Sequence, residues 1–265
     1  MAYTGGNSGY VRRLGKILGG TAPALAPVDG YTAWWDTGET GTLWQDVGGT
    51  VAATGNSDPV ARWDSRGGSL SGAYFSTPPG GYDTMFLDTS SANHFVWPNN
   101  HSVAYPALTT NKTFLQLFDP VTLGKGTAFI VLSDADGLGA NLYDGATYAT
   151  VAYFNSSYSS SSVYDTALHV ASIAGDATGA LHIYTYMNDG SAVFHGRNDT
   201  RTASLASALG SMAAGGVNLT IYDTLGSGRS GRYYEILTYP TVLSEADRKT
   251  TEQYLASKYG ITLPY

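Results

Sequence analysis

The 265-residue sequence contains no cysteine, which excludes disulfides and thiolate metal sites. Packing, oligomerisation, or both must hold the chain together. No apolar run approaches the ~18 residues of a spanning helix, so no membrane partner is expected. Charge is scarce: Asp, Glu, Lys and Arg make up 13% of residues, unlike a helical bundle rich in Ala, Glu, Lys and Leu. The only glutamates are Glu39, Glu235, Glu245 and Glu252. The apolar stretch after Arg12, Arg13 and Lys16 is just Ile17-Leu18, too short for a signal-peptide core. The chain is therefore expected to be made and folded in a cytoplasm, with no secretion of its own.

What is abundant is glycine (33 residues), tyrosine (20) and short blocks of Val, Thr and Ser. These suit pleated strands joined by tight turns. Hydrophobic residues reach 43%, enough to offset the entropy of ordering the chain. The spacing predicts strands at Ala33–Asp36, Ala61–Asp64, Met85–Asp88, His94–Trp97, Thr113–Phe118 and Gly126–Ser133. It predicts further strands at Ala149–Phe154, Ala167–Ile173, Leu181–Met187, Ala192–Gly196, Asn218–Tyr222 and Gly231–Tyr239. Asn188-Asp-Gly190 marks a hairpin between Leu181–Met187 and Ser191–His195. The biased stretch Tyr153–Ser162 reads first as an exposed loop or hairpin tip, and second as an adaptable Tyr/Ser contact surface. One helix is expected over Ser244–Tyr259, with Ser244 and Asp247 forming a capping box. Lys258 lies in its last turn, and Gly260 occupies the left-handed cap.

Residues 1–29 differ from the rest. A Gly/Asn/Ser-rich start and an Ala/Pro-rich end flank Tyr10–Leu18. Within it Val11, Leu14, Ile17 and Leu18 share a helical face, with Arg12, Arg13 and Lys16 off that face. Residues 1–20 carry +3, so the net charge of −7 leaves −10 on the remaining 245 residues. A basic arm thus precedes an acidic body, and nucleic-acid binding by that body is not expected. The division is an arm over residues 1–29 and a β domain over residues 30–265.

Two segments carry a resemblance. Tyr31-Thr-Ala-Trp-Trp-Asp36, Gly41-Thr-Leu-Trp-Gln-Asp46, Gly49-Thr50, Asp58-Pro-Val-Ala-Arg-Trp-Asp64 and Gly67 resemble the opening of concanavalin A-like, laminin G-like domains of bacteriophage and bacterial proteins. Gly231-Arg-Tyr-Tyr-Glu-Ile-Leu-Thr-Tyr239, Leu243–Arg248 and Glu252–Leu263 resemble their ending. The resemblance implies an all-β, two-sheet antiparallel jelly-roll sandwich with one short C-terminal helix, preceded here by the extended arm. In phages such domains occur in capsid decoration proteins, head fibres and tail-associated proteins.

Glycosidases of this fold use paired carboxylates, placed in related β-glucanases on one strand as Glu-x-Asp-x-(x)-Glu. None of the four glutamates stands in that pattern. Glu245 and Glu252 are expected to be solvated on the helix. Glu235 is expected to be buried beside an arginine such as Arg62 or Arg232. No catalytic residue is assigned. The five histidines (His94, His101, His169, His182 and His195) show no metal spacing and no nucleophile partner. His182 and His195, on the two arms of the hairpin, read as ordinary strand residues. Ser133-Asp-Ala-Asp-Gly137 offers Asp134 and Asp136 to a calcium ion, although an acidic turn explains it as well. Otherwise no cofactor is expected. Adjacent Trp34 and Trp35 must point to opposite faces of a strand. One fills the core, and the other is exposed, in an interface or beneath a loop. Trp35 and Trp97 are the first candidates for stacking on a sugar.

The leading expectation is a virion structural protein that decorates a capsid. Tyr10, Arg12, Arg13, Leu14, Lys16, Ile17 and Leu18 would dock it to other virion proteins or sister subunits. The alternative is a carbohydrate-binding tail or receptor-binding module facing a cell-surface glycan. A polysaccharide hydrolase ranks third.

Overall fold

The computed structural model describes residues 25–69, 72–77, 81–82, 85–96, 114–117, 126–134, 141–144, 149–154, 158–164, 168–174, 180–189, 192–205, 219–222 and 231–265. Along the chain run β1 (Ala33–Asp36), β2 (Leu43–Trp44), β3 (Pro59–Val60), β4 (Arg62–Asp64), β5 (Gly72–Thr77), β6 (Gly81–Tyr82) and β7 (Met85–Asp88). Then come β8 (His94–Val96), β9 (Phe114–Leu117), β10 (Gly126–Asp134), β11 (Asn141–Asp144), β12 (Ala149–Phe154) and β13 (Tyr158–Tyr164). The last are β14 (Leu168–Ala174), β15 (Leu181–Asn188), β16 (Ala192–Arg197), β17 (Thr200–Leu205), β18 (Leu219–Tyr222), β19 (Gly231–Tyr239) and α1 (Glu245–Tyr259).

The strands form antiparallel sheets, and the domain is mostly β with one C-terminal helix. The largest sheet runs β17-β16-β15-β10-β19-β8-β7-β3, with β1 also paired to β19. A second runs β14-β13-β12-β11-β18, and a third runs β2-β4-β5-β6 with β9 paired to β5. Strand β19 is the hub. It lies along β10 on one side and is shared by β1 and β8 on the other.

The register separates two packed faces of the large sheet. Trp34, Leu237, Phe129, Val131 and Ile183 lie on the face covered by α1, with Tyr254, Leu255 and Ala256 pressed against them. Trp35, Ile236 and Ile130 occupy the opposite face, where Trp35 meets Trp63 and Trp63 meets Phe95 edge-on. Strand alternation fixes this division. One irregularity matters. The β10–β19 register shifts between Val131 and Leu132, so that Glu235 faces Val131, Tyr233 faces Leu132, and Tyr234 is the extra residue. This bulge lets Tyr234 and Glu235 both reach Tyr259 of α1, by ring contact and by hydrogen bond respectively.

Helix α1 begins and ends as its sequence predicts. Asp247 N–H donates to the Ser244 hydroxyl at 3.1 Å, and Gly260 takes the left-handed conformation at φ 67°. The predicted β15–β16 hairpin forms, with Ala192 N–H donating to the Asp189 side chain at 2.7 Å. The Tyr/Ser stretch lies in the β12–β13 hairpin, with more of it in strands than a loop or hairpin tip would have. Residues 149–154 and 158–164 are paired strands, and the serines of β13 align with β14 along its length. Serine carries little strand signal of its own, so neighbouring strands decide its conformation. Strands β2, β3, β5, β6, β11 and β17 also go beyond the expected set.

Residues 25–32 lead onto the helix side. Val28 packs against the Trp34 cluster, its N–H donates to the Thr251 hydroxyl at 3.4 Å, and its carbonyl accepts from Tyr239 at 3.0 Å. Loop 65–69 flanks β1. Arg66 N–H donates to the Trp34 carbonyl at 2.7 Å and Ser69 N–H to the Thr32 carbonyl at 2.8 Å. Gly68 makes that approach possible, since a Cβ there would stand 2.3 Å from the Thr32 carbonyl oxygen.

Trp35 is 1% exposed, which overturns its expected surface role. It fills the core, while Trp34 lies beneath α1 and Arg66. Trp35→Ala should therefore act as a core deletion, costing roughly 3–5 kcal/mol in a urea unfolding titration. A loss below ~1 kcal/mol would contradict this placement.

Candidate functional site

Three polar constellations stand out among the described residues. The first joins both ends of the domain. The Lys258 ammonium donates to Asp36 Oδ2 at 2.6 Å and to Glu235 Oε2 at 2.7 Å. Glu235 is completely buried. Its Oε1 accepts from Trp34 Nε1 at 2.6 Å and Tyr254 OH at 3.1 Å, and its Oε2 also accepts from Tyr259 OH at 2.8 Å. Asp36 accepts in addition from Gly38 N–H at 2.8 Å and Arg66 at 3.2 Å. Burial, and then the neighbouring Asp36 carboxylate, push the Glu235 carboxyl above its ordinary range. Burial and the Glu235 charge hold the Tyr254 and Tyr259 hydroxyls protonated far above theirs.

Sharing one ammonium brings two carboxylates together, the raw material of an acid–base pair. The pair lies under α1, however, and each Glu235 oxygen already has two donors. The expected burial of Glu235 is observed, but its expected arginine partner is replaced by Lys258. Arg62 instead pairs with Asp64, and Arg232 is exposed.

The second constellation sits further up the helix. Arg248 and Glu252 are completely buried and paired one turn apart. Arg248 also meets Asp199 at 2.7 Å, and Glu252 accepts from Thr185 at 2.7 Å and Tyr265 at 2.8 Å. Glu252 is therefore not solvated as expected, whereas Glu245 is 61% exposed. Asp199 and Asn198 form the β16–β17 turn with positive φ angles of 68° and 47°. The helix thus grips that turn from outside.

The third constellation lies on the small sheet. Leu43 and Trp63 are fully buried, while Trp44, Arg62 and Asp64 between them are half-buried. Asp64 accepts from Arg62 Nε at 2.7 Å, Arg62 NH2 at 3.1 Å and Trp44 Nε1 at 2.8 Å. Of the three groups, this one alone reaches solvent on every member.

His195 opposes Tyr186, and His182 opposes Leu132, so the two histidines are not partners. His195 is completely buried and stacks on Tyr184, and neither ring nitrogen has a hydrogen-bond partner. Burial, helped by Arg197, pushes its pKa down to about 3. Trp97, Asp136, and Tyr10, Arg12, Arg13, Leu14, Lys16, Ile17 and Leu18 lie outside the described residues. Asp134 closes β10. Among the described residues no group of three or more His, Asp or Glu side chains is arranged to hold a metal ion, and no helix is long and apolar enough to cross a membrane. Sequence reasoning missed Lys258 as the partner of Glu235, and it missed the Trp44–Asp64–Arg62 group. Their outward signal was present in the alternation Leu43/Trp44 and Arg62/Trp63/Asp64.

No family model matches the chain, and no curated protein matches it. Solved structures do. The binding domain of Paraclostridial Mosquitocidal Protein 1 superposes with a TM-score of 0.53 at 6% identity, over 87% of this chain and 53% of that one. The binding domain of botulinum neurotoxin serotype D gives 0.51 at 10% identity, over 87% and 52%. Domain 4 of AbnA, an extracellular arabinanase from Geobacillus stearothermophilus, gives 0.47 at 11% identity, over 84% and 97%. This chain thus spans about half of each toxin binding domain, and the likeness is one of fold.

Two measurements check this account. Glu235→Leu should destabilise the domain by about 3–5 kcal/mol, because it leaves Trp34 Nε1 and the Tyr254 and Tyr259 hydroxyls without their buried acceptor. The Glu235→Leu/Lys258→Met double variant should lose less than the two single losses combined, and strictly additive losses in the cycle would dissolve the coupling. For His195, the unfolded imidazole takes up its proton near 6.5 and the folded one only near 3. Stability should fall as pH drops through that window, by at most ~1.4 kcal/mol per pH unit from this group. His195→Phe should flatten that part of the pH–stability curve.

Proposed function

We propose that the chain is a non-catalytic recognition module of a bacteriophage particle, built as a concanavalin A-like jelly-roll sandwich that engages a cell-surface glycan or receptor. The observation that carries this is the superposition, at TM-scores above 0.5, on two domains whose function is binding. The chemistry is in keeping with it. The Asp36–Glu235 carboxylate pair lies beneath α1 and is bonded to Lys258 and to the rings around it, and such a pair braces a fold without meeting a substrate. The phage setting rests on the resemblance of Tyr31–Asp64 and Gly231–Leu263 to domains of phage and bacterial proteins.

A second reading makes the same sandwich a capsid decoration protein. Its support is the layout of the first 29 residues. The basic segment precedes an acidic body, and the chain joins that body at the flank of α1 through Val28. In this reading the segment over residues 1–29 docks on a neighbouring subunit. Its apolar Leu14, Ile17 and Leu18 would seat in a groove, and Arg12, Arg13 and Lys16 would meet an acidic rim.

The readings separate experimentally. Labelled full-length protein should bind whole host cells and a subset of immobilised glycans, and binding to neither would remove the recognition reading. Deleting residues 1–20 should leave urea stability unchanged within about 0.5 kcal/mol, yet abolish attachment to particles. A truncated chain that still decorates particles would remove the docking role of the arm.

A further inference from the structure

The group around Trp44 sits on the outward face of the small sheet. Strand alternation sends Leu43 and Trp63 inward and Trp44, Arg62 and Asp64 outward. Trp44 stands opposite Arg62 across β2–β4, and the register continues from Arg62 to Tyr74 on β5. Asp64 ties the indole and the guanidinium into one unit, with its Oδ2 shared between Trp44 Nε1 and Arg62 NH2. The side chains of Arg62 and Asp64 keep 27% and 21% of their surface in solvent.

The border is stiff as well. Arg62 NH1 donates to the Val47 carbonyl at 3.3 Å. The guanidinium lies over Gly49, where a Cβ would stand 3.1 Å from NH1, and Gly49 itself has φ +70°. Asp46 accepts from Thr50 N–H at 2.9 Å, the Thr50 hydroxyl at 2.9 Å and Val51 N–H at 2.8 Å. These bonds, led by the one from Val51, hold the Asp46 carboxyl below its ordinary range. Val51 then stands half-exposed at the rim.

We infer that Trp44, Arg62 and Asp64 form a binding subsite for a neutral pyranose. The inference rests on the glycan-recognition reading above and gives it a location. A pyranose has an apolar C–H face and a rim of hydroxyls that both donate and accept. An indole offers surface to the first. A carboxylate and a guanidinium held side by side offer an acceptor and a donor to adjacent hydroxyls. The Arg62 and Asp64 charges cancel, so the subsite exerts no net pull on a sulfated, sialylated or uronic sugar. Its side chains are locked before a sugar arrives, so little rotamer freedom remains to be lost on binding.

The test uses the full chain. Fluorescently labelled protein is applied to an array of neutral and acidic oligosaccharides, and the strongest neutral hit is titrated into 15N-labelled protein. The Trp44 indole N–H resonance should shift progressively with saccharide. Trp44→Ala and Asp64→Asn, checked for an unchanged far-UV spectrum, should each weaken binding by about tenfold or more. Should a variant fail to fold, the wild-type Trp44 resonance still decides. A neutral glycan that binds without moving that resonance overturns the subsite and leaves the recognition reading standing. Binding of acidic glycans alone overturns the neutral-sugar assignment. An array with no hit overturns the glycan reading itself, and the subsite with it.

Discussion

Lys258 sends its ammonium between the first strand and the last, and the domain closes around that point. Asp36 lies 222 residues away in sequence and Glu235 lies 23 away. One cation therefore ties β1, β19 and α1 together. The carboxylate it meets on β19 is fully buried, and a buried charge is tolerated only with complete hydrogen bonding. Trp34, Tyr254 and Tyr259 supply the remaining bonds, and each of them also forms a wall of the apolar cluster under the helix or packs against it. Polar satisfaction and hydrophobic packing are thus performed by the same rings. Either one fails if the helix leaves the sheet.

The β-bulge at Tyr234 makes this arrangement possible. In a regular strand Tyr234 and Glu235 would face opposite sides. With one extra residue, both reach α1. A second grip, from Arg248 and Glu252 to Asp199, Thr185 and Tyr265, holds the β16–β17 turn and the chain terminus against the same helix. The helix acts as a clasp across the large sheet. Because the contacts it makes are distant in sequence, the fold must bring its ends together before the polar network gains its strength.

This explains what could be read in advance. The ends of α1 were legible because capping is local: Ser244 and Asp247 are three residues apart, and Gly260 follows directly. The β15–β16 hairpin was legible for the same reason. The partner of Glu235 was not, since a bulge and a helix register jointly decide it and neither leaves a local mark. Glu252 looked solvated because helix acids usually are, and only Arg248 one turn back hinted otherwise. Alternation showed that Trp34 and Trp35 part ways, yet it could not say which of them the helix would cover. The serines of β13 lacked strand character altogether, and their conformation comes from β12 and β14.

The same division bears on function. The carboxylates of Glu235, Asp36 and Glu252 sit deep, each with three or more donors. Asp64 differs in degree: it is bonded to Arg62 and Trp44, but a fifth of its surface remains in water. A group that is oriented yet still hydrated costs little to desolvate and little to order when a hydroxyl replaces water. The buried network cannot exchange its donors without unfolding the clasp. On the proposed reading, recognition belongs on the outward side of a strand whose inward side is already committed to the core. Trp44 and Asp64 meet that condition, flanking buried Leu43 and Trp63. Trp35, with the same aromatic chemistry, does not.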